Sequence, residues 1–214
     1  MPLRDAPLPI RILLANHQPI VRSGLRLLLE RESEFRVVAE AANGQEAMIL
    51  AEYRRPDVAL LEIKLPHLNG IVVAREISSR AAHSKPIFVT AHTDEGYVHE
   101  AFKAGARGYV DGDSATMDLP RAIRTVACGG LFLSPAICEQ LFDMDLKAGN
   151  ISVYGKDLCC LSAAGYGDDE IASALKTDVE KIRTERLELK RRFHRTVLPE
   201  ALTQCVFARE YALD

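Results

Sequence analysis

The sequence predicts a two-part protein of α/β class: a doubly wound, parallel five-stranded sheet followed by an all-α region. Three observations carry that expectation. From Arg11 to about Gly130, short apolar runs rich in β-branched residues alternate with amphipathic segments of helical period. The apolar runs are nearly continuous, as strands buried on both faces should be. After Gly130 the strand-like runs stop, and from Ser152 onward every segment has helical spacing.

The expected strands are RILLAN (11–16), FRVVAEA (35–41), DVALLEI (57–63), KPIFVTA (85–91) and the short GYV (108–110). Between and after them lie helices at Ile20–Glu30, Gln45–Tyr53, Ile71–Arg80, Glu95–Ala104 and Leu119–Ala127. Five βα units in succession require right-handed crossovers, which cover both faces of the sheet. Ser134 and Pro135 read as N-cap and first-turn residue of a helix to about Phe142, and the polar stretch DMDLKAGN (143–150) reads as linker. Further helices are expected at Ser152–Ala164, Asp169–Leu175, Val179–Arg192 and, after Pro199, Glu200–Tyr211. The domains are then 9–130, a helical linker 131–150, and 151–214.

Composition excludes several classes. With 48% hydrophobic and 27% charged residues, the 214-residue chain has a globular balance rather than that of a disordered protein. A formal net charge of −3 gives no global attraction to nucleic acid or acidic membranes, so any basic surface must be local. The five cysteines, Cys128, Cys138, Cys159, Cys160 and Cys205, are odd in number and lack CxxC spacing, which fits reduced thiols rather than a disulfide framework or a zinc site. The start MPLRDAPLPI has no apolar signal region, and no apolar run approaches the ~18 residues of a membrane span. A cytoplasmic protein without a membrane partner is expected.

In a doubly wound sheet, functional groups gather at the C-terminal ends of the strands. Asn16, His17 and Gln18 stand there after the first strand, Glu62 after the third, Thr90 and His92 after the fourth, and Asp111 and Gly112 after the fifth. Glu62 closes an uncharged run, Val58–Leu61, and so belongs at the mouth of the fold rather than in the core, where an unpaired charge is costly.

The runs RILLANHQPIVRSGLRLLLE, VVAEAANGQEAM, PDVALLEIKLPHLNG and FVTAHTDEGYVHEAFKAGARGYVDGDS, in this order and spacing, resemble the receiver domain of NarL/FixJ-type response regulators across nearly all of 10–130. AAGYGDDEIASALKTDVEKIR is similar to the LuxR-type helix-turn-helix of the same proteins. The resemblance implies a flavodoxin-like (βα)5 receiver that phosphorylates itself. An acidic pair and an aspartate hold Mg²⁺, the aspartate takes the phosphoryl group, and a hydroxyl and a lysine contact it. Carried over, the acidic pair falls on Asn16 and His17, the aspartate on Glu62, the hydroxyl on Thr90 and the lysine on Gly112. Only Thr90 keeps its type. Tyr109 matches the aromatic switch position that acts with Thr90.

Each departure weakens the chemistry. Asn16 offers one carbonyl oxygen, and His17 a nitrogen better suited to zinc or copper than to magnesium. Glu62 is one methylene longer than aspartate, which moves its oxygens about 1.5 Å outward and spoils in-line geometry. Gly112 offers no ammonium. A degenerate pocket of Asn16, His17, Glu62, Thr90 and Gly112 is expected, with no catalysis, no metal and no cofactor. Glu62 itself has two readings: it imitates a phosphorylated aspartate and holds Thr90 and Tyr109, or it pairs with His17 or Asn16 and plugs the pocket. His17, His67 and His92 share this edge, but their spacing is not that of a compact metal motif.

In the C-terminal domain, the resemblance makes Asp169–Leu175 the first helix of the motif and Val179–Arg192 the second, capped by Thr177 with Glu180 or by Asp178 alone. Val179, Ile182, Leu189 and Phe193 form the inward stripe. Arg183 and Thr184 match positions that touch bases, with Arg183 the expected base-edge contact. Lys176, Lys181, Arg186, Lys190, Arg191, Arg192 and Arg195 are expected at phosphates. Against this, 151–214 holds 10 Lys plus Arg and 11 Asp plus Glu, and Asp168, Asp169 and Glu170 crowd the first helix. The expected function is a phosphorylation-independent transcriptional regulator with DNA and a second copy as partners and a regulatory protein as a further partner. The alternative is a protein-interaction adaptor that no longer binds DNA.

Overall fold

The computed structural model describes residues 8–81, 83–147 and 151–193. In chain order these form β1 (Ile10–Ala15), α1 (Pro19–Leu29), β2 (Phe35–Ala41), α2 (Gly44–Arg54), β3 (Val58–Leu61), α3 (Gly70–Arg80), β4 (Lys85–Thr90) and α4 (Glu95–Lys103). There follow β5 (Gly108–Asp111), α5 (Ala115–Ala127), β6 (Phe132–Leu133), α6 (Pro135–Lys147), α7 (Val153–Ala163), α8 (Asp168–Ala174) and α9 (Val179–Phe193). The sheet order is β2-β1-β3-β4-β5-β6. The order reverses between β1 and β3, as in a flavodoxin-like sheet. Contacts divide the chain into two compact units, Met1–Thr90 with Ala104–Ala106, and Ala91–Lys103 with Arg107–Asp214.

In the first unit, β1 pairs parallel with β2 and β3, and β3 with β4. Ile12, Leu13, Leu14, Ala59, Leu60, Leu61, Ile87 and Phe88 are fully buried, as near-continuous apolar strands require. Asn43 caps α2 by accepting from the Glu46 N–H at 2.9 Å, while the Glu46 carboxylate accepts from the Ala42 N–H at 2.8 Å. The loop after β3 returns tightly to its own start. A Cβ on Gly70 would lie 2.1 Å from the Glu62 carbonyl oxygen, so only glycine fits where α3 begins.

In the second unit, β5 pairs parallel with β6, matching Gly108 to Phe132 and Tyr109 to Leu133. This sixth strand corrects the expectation of five. It is two residues long, too short for any period to register. A 3₁₀ turn at Gly112–Ser114 leads into α5, which starts four residues before the expected Leu119 and carries Pro120 inside the helix. Ser134 is fully buried between β6 and α6; its hydroxyl donates to the Asp118 carboxylate at 2.6 Å and accepts from the Asp111 N–H at 3.1 Å. Helix α6 continues to Lys147, through the first half of the stretch expected as linker. Lys156 on α7 donates to Asp143 at 2.5 Å, giving that polar segment a partner. The Asp143 carboxylate raises the Lys156 ammonium above the ordinary lysine range. Ser152 caps α7 and Asp178 caps α9, the latter accepting from the Lys181 N–H at 2.8 Å. The expected helix Glu200–Tyr211 lies outside the described residues.

Candidate functional site

Backbone pairing sets the rim of the first unit. The Glu62 N–H donates to the Ala15 carbonyl at 2.9 Å and the Asn16 N–H to the Ala41 carbonyl at 3.1 Å, so both residues sit where their strands end. Asn16 is buried, and its side-chain oxygen accepts from the Gln18 N–H at 2.9 Å. The Arg22 guanidinium, which the sequence did not single out, donates to the Asn16 carbonyl at 2.7 Å and pairs with Glu40 at 3.2 Å. His17 is exposed.

Glu62 turns back on its own loop. One carboxylate oxygen, Oε1, accepts from the Ile63 N–H at 2.7 Å, from the Lys64 N–H at 3.4 Å and from the buried Thr90 hydroxyl at 2.7 Å. Asn16 and His17 are not among its hydrogen-bond partners. The structure therefore joins two of the expected pocket residues, Glu62 and Thr90, and leaves Asn16 with a local role. In the second unit Tyr109 is fully buried and its hydroxyl donates to the His92 carbonyl. Gly112 is exposed at the start of the 3₁₀ turn. No group of three or more His, Cys, Asp or Glu able to hold a metal occurs among the described residues.

The second candidate surface is α9. Ile182 and Leu189 are buried, as the inward stripe requires. Lys181 is exposed, with its ammonium 5.3 Å from the Tyr154 ring. Arg183 is exposed and pairs through Nη1 with Glu180 at 2.8 Å and through Nε with Asp168 at 3.6 Å. The Thr184 hydroxyl donates back to the Glu180 carbonyl at 2.9 Å. Arg186 corrects the sequence expectation. It is buried, donating to Asp168 at 2.6 Å and to the Ser162 hydroxyl at 3.1 Å, so its guanidinium faces α7 and α8 rather than a phosphate. The signal was present, because Arg186 stands four residues after Ile182 and three before Leu189, on the stripe itself. Lys176 is exposed in the α8–α9 turn at φ 52°. The side chains of Lys190, Arg191, Arg192, Phe193 and Arg195 lie outside those described.

With this geometry in view, the model of the response regulator receiver domain matches residues 12–124. The chain belongs to the response regulators. The transcriptional regulatory protein LnrK of Bacillus subtilis is 32% identical over 181 residues, spanning 78% of this chain and 82% of that one. The crystal structure of a LuxR-family two-component response regulator from an Aurantimonas species superposes with a TM-score of 0.62 at 34% identity, over 64% of this chain and 99% of that one. The RcsB–DNA complex shares the fold over 92% of this chain and 98% of that one, with a TM-score of 0.60 at 20% identity. This response regulator thus has relatives of the NarL/LuxR type that are named as transcriptional regulators. No helix among its described residues is long and apolar enough to cross a membrane.

Proposed function

We propose that this response regulator is a DNA-binding transcriptional regulator whose receiver works without phosphorylation. The observation that carries the reading is the 2.7 Å hydrogen bond from the Thr90 hydroxyl to Glu62. In a receiver that takes phosphate, the hydroxyl at this position would meet a phosphoryl oxygen; here a resident carboxylate already engages it. Glu62 thereby imitates the phosphorylated state at Thr90. The residues present do not fit Mg²⁺. The Asn16 oxygen is taken by the Gln18 N–H, His17 supplies a nitrogen, and Glu62 Oε1 accepts three donors, whereas the ion demands hard oxygens in octahedral array. Regulation then comes from expression level, a partner protein, or a ligand at the altered rim.

The output module is a LuxR-type helix-turn-helix of α8 and α9, with Arg183 at a base edge, Thr184 beside it, and Lys181, Lys190 and Arg191 at phosphates. A homodimer presents two copies of α9 to two half-sites. Gel shift with genomic fragments over a salt series tests this. Binding that weakens steeply as salt rises supports it, since each phosphate contact releases counterions.

A second reading has its own observation. Arg183 is paired with Glu180 and Asp168, and Arg186 is buried, so carboxylates of the chain already neutralise part of the basic face. A protein-interaction adaptor fits that balance. Absence of DNA binding even at low salt selects the adaptor.

A further inference from the structure

We propose that Asp168 is a positioning residue that aims Arg183 at a guanine edge; the proposal rests on the DNA-binding reading. Four side chains from three helices form one connected chain of contacts. The Ser162 hydroxyl accepts from Arg186 Nη2 at 3.1 Å, Arg186 Nη1 donates to Asp168 at 2.6 Å, and the other Asp168 oxygen lies 3.6 Å from Arg183 Nε. The Arg186 side chain is only 6% exposed, and its Nε has no hydrogen-bond partner. A buried guanidinium of this kind has little freedom to leave its carboxylate. Asp168 is therefore held from behind, and its second oxygen is presented to Arg183 in one direction.

That direction decides what Arg183 can do. Guanine O6 and N7 are read by two N–H groups of one guanidinium edge, and a long flexible side chain must be oriented to present them. A carboxylate on the Nε side leaves the Nη edge facing outward. The Glu180 contact at Nη1 is of another kind. The Glu180 side chain is 81% exposed and three residues away on the same helix, so a DNA acceptor displaces it at little cost. Asp168 stays and Glu180 yields. A carboxylate turned towards DNA also repels phosphates, so Asp168 lowers binding to arbitrary sequence while sharpening the base contact.

Selection from a duplex library with a randomised core, using the full-length protein, tests this. The wild type should enrich guanine at one position per half-site. In Asp168→Asn that preference should fall about tenfold, within the range that a bidentate contact supplies. Affinity for a random-sequence duplex should stay the same or rise. Arg183→Lys should lose the same guanine preference. A guanine preference undiminished in Asp168→Asn overturns the proposal, and so does an equal loss for selected and random duplexes, which marks a merely structural role. Should Asp168→Asn fail to fold, Asp168→Glu keeps a charge for Arg186 while displacing the oxygen beside Arg183; there the preference should still fall, and its retention overturns the proposal. A wild type that binds no duplex at all refutes the DNA-binding reading itself, an outcome distinct from binding without a dependence on Asp168.

Discussion

At the scale of single residues, two contacts define the receiver rim. Thr90 is buried and gives its hydroxyl to Glu62, so Thr90→Val leaves a carboxylate oxygen with one donor fewer. The substitution should cost about 1–2 kcal/mol, read as a lower urea midpoint with unchanged slope. Gly70 carries the second contact. The Cβ of Gly70→Ala would meet the Glu62 carbonyl oxygen at 2.1 Å, and because that oxygen is backbone, relief requires the loop after β3 to move. We expect a loss of about 3 kcal/mol, together with loss of the Thr90 bond that this loop supports. A Gly70→Ala variant as stable as wild type would refute the tight closure over Glu62. Asn16 and Glu62 were legible in the sequence as rim residues because strand ends can be counted. Their partners were not, since nothing in a residue string says that Glu62 folds onto the N–H groups of Ile63 and Lys64.

At the scale of elements, β1 to β5 follow from β-branched apolar runs, and a parallel sheet from the βα alternation. The misses have physical causes. Two residues cannot display a period of two, so β6 was invisible. The helix expected from Leu119 already runs from Ala115, with Pro120 inside it. The polar run after Phe142 reads as loop, although Asp143 has a tertiary partner in Lys156. That pair gives a pH prediction with a definite sign. The Lys156 ammonium titrates above its ordinary value beside Asp143, so the stabilisation is fully present below the unfolded lysine value and is lost as pH rises through the raised one. Alkaline titration of the thermal midpoint should show this loss, and Asp143→Asn should remove it. Helix α9 offers a sharper test. Arg186→Ala leaves Asp168 without its buried cation, and unfolding should become easier by about 3 kcal/mol. A surface phosphate-binding arginine would give a change near zero.

At the scale of the whole molecule, α5 meets the turn between α7 and α8. The Arg121 guanidinium lies 3.4 Å from the Tyr166 ring centroid and pairs with Glu170 at 3.3 Å. Gly165, at φ 76°, comes so near α5 that a Cβ there would sit 2.6 Å from the Thr125 hydroxyl. Arg121→Ala should speed amide exchange in 165–170 about fivefold, equivalent to the ~1 kcal/mol of a partly exposed cation–π pair. Unchanged exchange would mean that Thr125 and Gly165 hold this junction alone. The receiver's own chemistry is the larger question, because the proposed function stands or falls on whether Glu62 takes a phosphoryl group. Intact-mass measurement after incubation with a small phosphodonor and Mg²⁺ addresses it most directly. An unchanged mass is expected; a species heavier by about 80 Da with the added group on Glu62 would refute a receiver that works without phosphorylation.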